Sequence, residues 1–276
     1  MNILHDIITE KRKTVEERKS LYPVKLLEKS IYFETPVVSL RKYLQRPDKV
    51  GIIAEFKRRS PGYGMINAYA DVEQVSIGYM QAGASALSIL TDTPFFGGKS
   101  SDLTTARKFN FCPILMKDFV IDEYQILEAK SIGADAVLLI TAILDLQELQ
   151  SLTQCAHQLG LEVLLEVHNP EELDILGMTS ADIIGINNRN LDDHTVDVET
   201  SFRLRQLIPS DSIVISESGI RDPKTLIALK RAGFHGFLIG EYYMADSHPH
   251  IRCADFIRAV HQYMKQESDT HINQEP

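Results

Sequence analysis

Five charged side chains stand at the ends of short apolar runs, where a buried strand ordinarily finishes in neutral residues. Glu55 and Lys57 end the first run, and Lys117, Glu166 and Glu217 end three later ones. An ammonium group can protonate an oxygen on which negative charge develops, and a carboxylate can accept a proton in another step. Acids and bases gathered in one place therefore predict a site for general acid–base catalysis.

The apolar runs that carry these residues recur along the chain as eight strand-like segments. They span residues 50–56, 84–90, 112–117, 134–140, 161–167, 181–187, 212–218 and 236–240. Segments of helical periodicity lie between them, and several of these end on a glycine that suits a left-handed C-cap. Because the runs are apolar on both faces, they favour a parallel sheet covered by crossover helices.

Eight strand–helix units in this length of chain predict a single (β/α)8 barrel, the TIM barrel. The alternative is an open doubly wound sheet, which is expected to carry a glycine-rich dinucleotide turn, and the sequence contains no G-x-G-x-x-G. We assign residues 1–47 to an N-terminal helical extension, with helix-like stretches at 2–20 and about 38–46. Residues 48–264 form the catalytic barrel, and residues 265–276 are predicted to be a polar, disordered tail.

Strand parity predicts the direction of the charged side chains. Side chains alternate across a strand, so Glu55 and Lys57 share a face with Ile53. If Ile53 points into the barrel, the same parity turns four more strand-end residues inward, at the reactive face of such barrels. These are Lys117, Glu166, Asn187 and Glu217. Alternate strands build one layer, which predicts that both lysines and the last two glutamates ring one level; solvated strand ends or structural ion pairs are the alternative for each residue alone.

Glycine-containing loops after the last two strands predict a phosphate site. Gly219 lies in "ESGIRDP" after the seventh run, and Gly240 lies in "IGEYYM" after the eighth. Loops in these places hold phosphate in many TIM barrels, on backbone N–H groups and a helix N-terminus. Ser60 and Gly62, in the first loop, would add donors from the opposite side.

Composition argues against other classes of protein. The 276 residues carry a formal charge of −9, which gives no general attraction for nucleic acid. The three cysteines lie far apart without metal-ligand spacing, which indicates a reducing compartment and no metal site. The sequence shows neither a signal-peptide pattern nor about 18 consecutive apolar residues. We expect a cytoplasmic protein that binds neither nucleic acid nor membrane.

Five motifs occur together in the segments "IIAEFKRRSP", "PILMKDF", "LLEVH", "IGINNR" and "ISESGI". In this order they resemble the indole-3-glycerol-phosphate synthase family, and the resemblance runs from the N-terminal extension to about residue 260. It implies closure of the pyrrole ring of 1-(2-carboxyphenylamino)-1-deoxyribulose 5-phosphate, with loss of carbon dioxide and water. Such an enzyme is a carboxy-lyase of tryptophan biosynthesis that needs no cofactor, and this length leaves no room for a fused isomerase domain.

The resemblance and the chemistry together suggest a role for each inward side chain. Ring closure needs an acid at the ketone oxygen, and Lys117 is our candidate. Lys57 would hold the substrate carboxylate, with Glu55 orienting it. Glu166 would be the general base or would stabilise the developing cation. Neighbouring ammonium groups lower one another's pKa and nearby glutamates raise it, so the sequence leaves the sign of the net shift open.

The resemblance also places the remaining polar residues of the site. Asn187 and Glu217 match family site positions and are assigned to orienting hydroxyls. The residues implied to bind phosphate are Ser60, Ser218, Gly219, Gly240 and Glu241. The departures from the commonest family pattern are Gly62, Asn190, Tyr242 and Tyr243, which concern loop dynamics and phosphate affinity more than the reaction.

Several alternatives stay open at this point. Lys117 would instead form a Schiff base in an aldolase, and Glu166 would be the base of a sugar-phosphate isomerase. A catalytically silent ligand-binding barrel is the non-enzyme alternative. His168 either titrates beside Glu166 or only packs its loop. The segment "PFFGG", 94–98, is either an apolar wall for the anthranilate ring or a core-facing turn.

Overall fold

A computed structural model describes residues 3–191 and 193–272, and in them eight parallel strands close a barrel. The strands are β1 (Ile52–Phe56), β2 (Ala86–Leu90), β3 (Ile114–Lys117), β4 (Ala136–Ile140), β5 (Glu162–Val167), β6 (Ile183–Asn187), β7 (Val214–Glu217) and β8 (Gly236–Ile239). Each lies within the run predicted for it. The pairing of β1 with β8, in which Ile53 is opposite Leu238, closes the ring, so the predicted TIM barrel is confirmed.

Twelve α-helices surround or extend the barrel within the described residues. They are α1 (Ile3–Leu21), α2 (Val24–Leu27), α3 (Leu40–Leu44), α4 (Val72–Gln81), α5 (Thr93–Phe96), α6 (Ser100–Phe109), α7 (Glu123–Ile132), α8 (Leu146–Gln158), α9 (Glu199–Arg205), α10 (Pro223–Arg231), α11 (Glu241–Met244) and α12 (Pro249–Ile272). Two 3-10 helices, Thr141–Ile143 and Glu171–Met178, complete the set, and the second one makes the crossover from β5 to β6. A short hairpin pairs Arg59–Ser60 with Gly64–Met65 in the loop after β1.

The helix starts follow local hydrogen-bonding chemistry. At α8, the side chain of Asp145 accepts a hydrogen bond from the Glu148 N–H at 2.8 Å, and the Glu148 carboxylate accepts one from the Asp145 N–H at 2.9 Å. This capping box satisfies two N–H groups that the helix itself cannot pair. Asp122 caps α7 in a simpler way, by accepting from the Tyr124 N–H at 2.8 Å.

The core has two shells, and the inner one confirms the parity on which the site prediction rests. Side chains between the strands and the outer helices form the larger cluster. Ile53 belongs to the inner cluster, together with Leu115, Leu164 and Ile215, which lie two residues before Lys117, Glu166 and Glu217 on their strands. The barrel therefore has an apolar interior, and the charged residues begin one layer above it.

The N-terminal extension packs against both ends of the barrel. Leu40 and Leu44 of α3 join the inner cluster from below, and the Ser39 hydroxyl donates to Glu162 at the start of β5. At the other end, Ile7 of α1 is 3% exposed and belongs to the same cluster. These side chains have their core in the barrel, so the extension does not form a domain of its own.

One buried ion-pair network holds α1 on the barrel. The ammonium nitrogen of Lys11 lies 2.6 Å from Asp92 Oδ1 and 2.6 Å from Asp118 Oδ1, and Lys11 is only 5% exposed. Asp92 caps α5, and Asp118 accepts a hydrogen bond from the Thr91 hydroxyl at 2.6 Å. Burial lowers the pKa of Lys11, and the two aspartates more than offset this, so the net pKa is raised.

The last helix continues to Ile272, into the segment for which the sequence predicts a polar tail, and residues 273–276 lie outside the described residues. The limits that we assign to the barrel and tail stay predictions. Within the described part of the chain, no helix is both long and apolar enough to cross a membrane.

We expect Lys11→Met to lower the free energy of unfolding by about 3–5 kcal/mol, because it leaves two buried carboxylates without their cation. Lys13 on the same helix is the matched control. It is 65% exposed in its pair with Glu10, so Lys13→Met should change stability by less than about 1 kcal/mol. Urea unfolding followed by circular dichroism measures both, and equal losses in the two variants would contradict a special role for the Lys11 network.

Candidate active site

The centre of the site is a buried ion triad at the C-terminal ends of β3, β5 and β7. The Lys117 ammonium nitrogen lies 2.7 Å from Glu166 Oε2 and 2.5 Å from Glu217 Oε2. Both glutamates are nearly inaccessible, at 3% and 1% exposure. Alternate strands thus bring these three residues to one level, as the parity argument predicts.

Gly185 on β6 makes room for this triad. A Cβ atom at that position would lie 2.3 Å from Glu217 Oε1, so only glycine lets the carboxylate lie flat against the strand. No group in residues 3–191 or 193–272 gives Glu217 Oε1 a hydrogen bond. A buried acceptor without a partner is costly, and this oxygen is therefore available to a substrate hydroxyl.

Glu55 and Lys57 form a second pair at the end of β1. The Lys57 ammonium nitrogen lies 2.7 Å from Glu55 Oε1, so Lys57 pairs with the strand that it follows and makes no ion pair with the triad. Arg58, the residue after Lys57, points outward, and its guanidinium donates to the Asp102 carboxylate of α6 at 2.5 and 3.1 Å. Gly240 packs against this pair, since a Cβ there would lie 2.4 Å from Glu55 Oε1.

The charge states follow from burial and from these contacts. Burial favours the neutral amine of Lys117, but the adjacent carboxylates outweigh it and raise the pKa of Lys117. Burial likewise favours the neutral form of Glu166, yet Lys117 and His168 hold its pKa well below the usual range. Burial and the neighbouring Glu166 charge raise the pKa of Glu217 to about 7, although Lys117 opposes this. The neighbouring glutamates, and not repulsion between ammonium groups, therefore determine the protonation state of Lys117.

His168 follows Glu166 by two residues and faces it from the opposite side to Lys117. Its Nε2 lies 3.1 Å from Glu166 Oε1, and its Nδ1 lies 3.2 Å from Glu172 Oε2. Burial lowers the pKa of His168, and the two glutamates reverse this and raise it to about 10. Of the two interpretations of His168, the structure therefore supports a charged group and not a neutral packing residue.

Apolar side chains from three elements wall the mouth above the triad. Ile3, Leu4 and Ile7 of α1 cover it from one side, and Phe96 of α5 lines the same cavity. The rings of Phe96 and Phe119 lie 5.9 Å apart in a tilted arrangement. The segment "PFFGG" thus supplies an apolar wall, which suits a flat aromatic ring.

Loops after β1, β7 and β8 converge on the other side of the mouth. Ser218 has φ 69° and Gly219 has φ 79°, a left-handed pair in which the serine carries strain of about 1–3 kcal/mol. Asn188 donates to the Ser218 carbonyl at 2.9 Å and thus holds this turn. The Ser60 hydroxyl is buried without a hydrogen-bond partner among the described residues, so it is free to bind an anion.

Arg189 is the main residue of the site to which sequence reasoning gave no role. Its Nη2 lies 3.0 Å from Glu241 Oε2, and Arg221 Nη2 lies 2.5 Å from the other oxygen of Glu241. Asn187 accepts a hydrogen bond from the Arg189 N–H at 3.0 Å. Arg189 stands within the motif G-I-N-N-R, which is a usable signal, but it follows the strand and parity does not predict its direction.

The residues that depart from the family pattern have visible structural roles, and Asn190 holds its own loop by donating its backbone N–H to the Thr195 carbonyl at 2.9 Å. A Cβ on Gly62 would lie 3.3 Å from the His194 side chain, so a serine there would press on this neighbour. Tyr243 is fully buried against Tyr79 and Phe256, while Tyr242 stacks under Arg252 with 4.4 Å between guanidinium carbon and ring centre. None of them touches the ion triad.

No group of three or more His, Cys, Asp or Glu side chains that would suit a metal ion occurs within the described ranges. His248 and His250, the two histidines of the segment "SHPH" at 247–250, have ring centres 6.4 Å apart. The donor set of the mouth is instead one of ammonium, guanidinium, carboxylate and hydroxyl groups, which is suited to proton transfer and anion binding.

A closed parallel barrel with acid–base residues and anion-ready loops at its C-terminal face defines an enzyme of the TIM-barrel class. A family model described as "Indole-3-glycerol phosphate synthase" matches residues 4–256. The chain belongs to the indole-3-glycerol phosphate synthase family, a family of lyases in tryptophan biosynthesis.

Two relatives show how far the similarity extends. An indole-3-glycerol phosphate synthase of Bacteroides thetaiotaomicron is 48% identical over 259 residues, which cover 94% of this chain and 99% of the relative. That of Caldanaerobacter subterraneus subsp. tengcongensis is 42% identical, over 94% of this chain and 98% of its own.

Among solved structures, two similar ones share the fold at low sequence identity. A mutant tryptophan synthase alpha-subunit from Pyrococcus furiosus matches with a TM-score of 0.60 and 12% identity, over 77% of this chain and 98% of that one. A 3-hexulose-6-phosphate synthase from Salmonella typhimurium gives 0.61 and 12%, over 77% and 99%. At this identity they bear on the barrel alone.

We expect Gly240→Ala to lower kcat/KM at least about tenfold, because the added Cβ displaces Glu55 and with it Lys57, and small misplacements at a reacting centre are costly. Gly240 substitutions therefore test more than phosphate binding. Gly177→Ala is the control, since a Cβ at Gly177 meets nothing within 4 Å. Steady-state kinetics of both variants decides this, and parent-like kcat/KM in Gly240→Ala would show that Glu55 tolerates displacement.

Proposed function

We propose that the protein converts 1-(2-carboxyphenylamino)-1-deoxyribulose 5-phosphate into indole-3-glycerol phosphate, with loss of carbon dioxide and water. The observation that carries the proposal is the Lys117 ammonium between two buried carboxylates, beneath an apolar mouth. The chain's membership of the indole-3-glycerol phosphate synthase family supports the overall reaction, and the geometry supports the roles of the individual residues.

Substrate binding divides between the two sides of the mouth. The anthranilate ring lies between α1 and the Phe96–Phe119 wall, where its apolar faces leave water. The phosphate lies at the loops after β7 and β8, within reach of the Ser60 hydroxyl and the backbone of Ser218, Gly219, Gly240 and Glu241. Lys57 and Arg189 border the cavity between these ends, and they hold the substrate carboxylate.

Ring closure joins the aromatic carbon that bears the carboxylate to the ketone carbon of the sugar. The carbonyl π bond breaks as this bond forms, and Lys117 gives its proton to the oxygen. Positive charge develops at the ring nitrogen, which Glu166 stabilises. Carbon dioxide then leaves, and its bonding electron pair restores the aromatic ring. Dehydration removes the new hydroxyl with a proton from an acid, while a carboxylate takes the proton that completes the pyrrole.

The charge state of Lys117 argues against the Schiff-base alternative. Attack on a carbonyl requires the neutral amine, and Glu166 and Glu217 hold Lys117 in the ammonium form. An isomerase that uses Glu166 as base, or a silent ligand-binding barrel, would release no carbon dioxide. We extend the proposal to a cytoplasmic enzyme without nucleic-acid partner, which the charge of −9 and the free Cys112, Cys155 and Cys253 support.

We expect Lys117→Ala to lower turnover by about 10² to 10⁴, because the ketone oxygen loses its acid. The chain contains no tryptophan, so indole emission reports product directly, and the assay is run with a chelator present. Lys108→Ala on the exposed side of α6 is the control and should match the parent. Circular dichroism checks folding, and a Lys117→Ala turnover within twofold of the parent would refute the assignment.

The pKa of Glu217, raised to about 7, predicts an acid limb in the pH profile of kcat/KM. Below that pH the carboxyl is neutral and one of its oxygens has become a donor, so it binds the Lys117 ammonium and a substrate hydroxyl more weakly. The value of kcat/KM should then fall by up to tenfold per pH unit. Glu217→Gln should show a low kcat/KM without this limb. An unchanged limb in that variant would assign the titration to another group.

A further inference from the structure

His168 contacts charged groups on both sides of its ring, and the reaction as described gives it no step. Nε2 faces Glu166 Oε1 at 3.1 Å, and Nδ1 faces Glu172 Oε2 at 3.2 Å. The side chain is 9% exposed. A neutral imidazole carries a proton on one nitrogen only, so it would turn a lone pair toward one of these carboxylates. The Nδ1–Glu172 contact is a hydrogen bond, whereas the Nε2–Glu166 contact is a charge contact that lacks hydrogen-bond geometry. An imidazolium suits both contacts, because its charge faces a carboxylate on each side.

Glu172 is itself held in place as the anchor of this ring. Its Oε1 accepts a hydrogen bond from the Asn169 amide at 2.7 Å, and its Oε2 accepts from the His168 backbone N–H at 2.8 Å and contacts the Thr141 hydroxyl. His168 lowers the pKa of Glu172 against the effect of burial. The carboxylate therefore stays ionised on the first turn of the 3-10 helix that follows β5.

The two oxygens of Glu166 consequently face two different cations. Lys117 meets Oε2 at 2.7 Å, and the imidazolium meets Oε1. Glu217 touches Lys117 alone and keeps one oxygen unpartnered among the described residues. The remaining charged groups near His168 line the polar hollow beside it and come from the loop after β6 and from α9: Arg189, Asp197 and Arg203.

We propose that His168, fixed by Glu172, is a positioning residue that keeps Glu166 ionised and aimed at Lys117, and so leaves Glu217 as the carboxyl of the triad that takes up a proton. Lys117, Glu166 and Glu217 are coupled and titrate as one unit. Two cations, Lys117 and the His168 imidazolium, balance the carboxylates of this unit. Without the imidazolium, one of the two is gone, so the unit binds its proton at a higher pH. The proposal rests on the acid–base roles given above.

The first test is the pH profile of kcat/KM in His168→Gln, which removes the charge and keeps a polar side chain. The acid limb should move upward by about one pH unit, so that kcat/KM falls about tenfold at pH 6 and stays within threefold of the parent at pH 9. Loss of packing alone would lower activity equally at every pH. A profile that is lower but unshifted would overturn the proposal.

We call the His168–Glu172 pair the clamp on Glu166, and two further variants separate its effect from other effects. Glu172→Gln should move the limb in the same direction, and the double variant should move it no further than His168→Gln alone, because both changes break one unit. His157→Gln is the matched control, since His157 pairs with Asp182 at 2.8 Å near the opposite end of the barrel. A limb that shifts in this control, or additive shifts in the double variant, would count against the clamp.

Ring-nitrogen NMR of isotope-labelled histidine tests the imidazolium without any turnover. Comparison with His168→Gln, or with Glu172→Gln if that variant does not fold, identifies its signal among the nine histidines. Both nitrogens of His168 should keep imidazolium shifts up to pH 8.5. A neutral tautomer below pH 7 would overturn the inference. Parent enzyme that forms no indole from the substrate would refute the proposed function instead, and the NMR result would still decide the clamp.

Discussion

A positive charge buried among apolar side chains is the constraint on which the rest of this structure depends. Lys117 stands directly above a barrel interior of Ile53, Leu115 and Leu164, where an unpaired ammonium group would cost several kcal/mol. Two carboxylates reach it, from the inward positions at the ends of β5 and β7. Strand register, the missing side chain at Gly185 and the imidazolium beside Glu166 all serve that single requirement.

The barrel separates its stability from its chemistry along its axis. Below the triad, Leu40 and Leu44 of α3 pack against the inner shell. The polar contacts there, such as that of Ser39 with Glu162, hold the extension to the starts of strands. Above it, groups without partners appear: the Ser60 hydroxyl and one oxygen of Glu217. Such atoms are costly to bury. Both atoms line the mouth of the cavity, where a ligand would complete their hydrogen bonding.

Much of this architecture follows from the sequence, because period and parity are local properties. The apolar runs located all eight strands, and alternation from Ile53 gave the inward direction of the charges. The sequence was less informative about which charged side chains pair with one another across the barrel. The expected ring of four charges divides into a triad and a separate Glu55–Lys57 pair, since residues two apart on one strand reach each other before they reach across the mouth. Arg189 lies in a loop, where parity carries no information, and the helix after residue 264 has no apolar stripe to announce it.

Helix α1 combines an anchor and a cover in one rigid element. Lys11 fixes it to the loops after β2 and β3, while Ile3, Leu4 and Ile7 lie over the cavity two turns earlier. Ile3, in the first turn of α1, lies beside the substrate entrance. An affinity tag or a fusion partner placed there competes with ligand exchange, so for engineering or immobilisation of this barrel the far end of α12 is the better point of attachment.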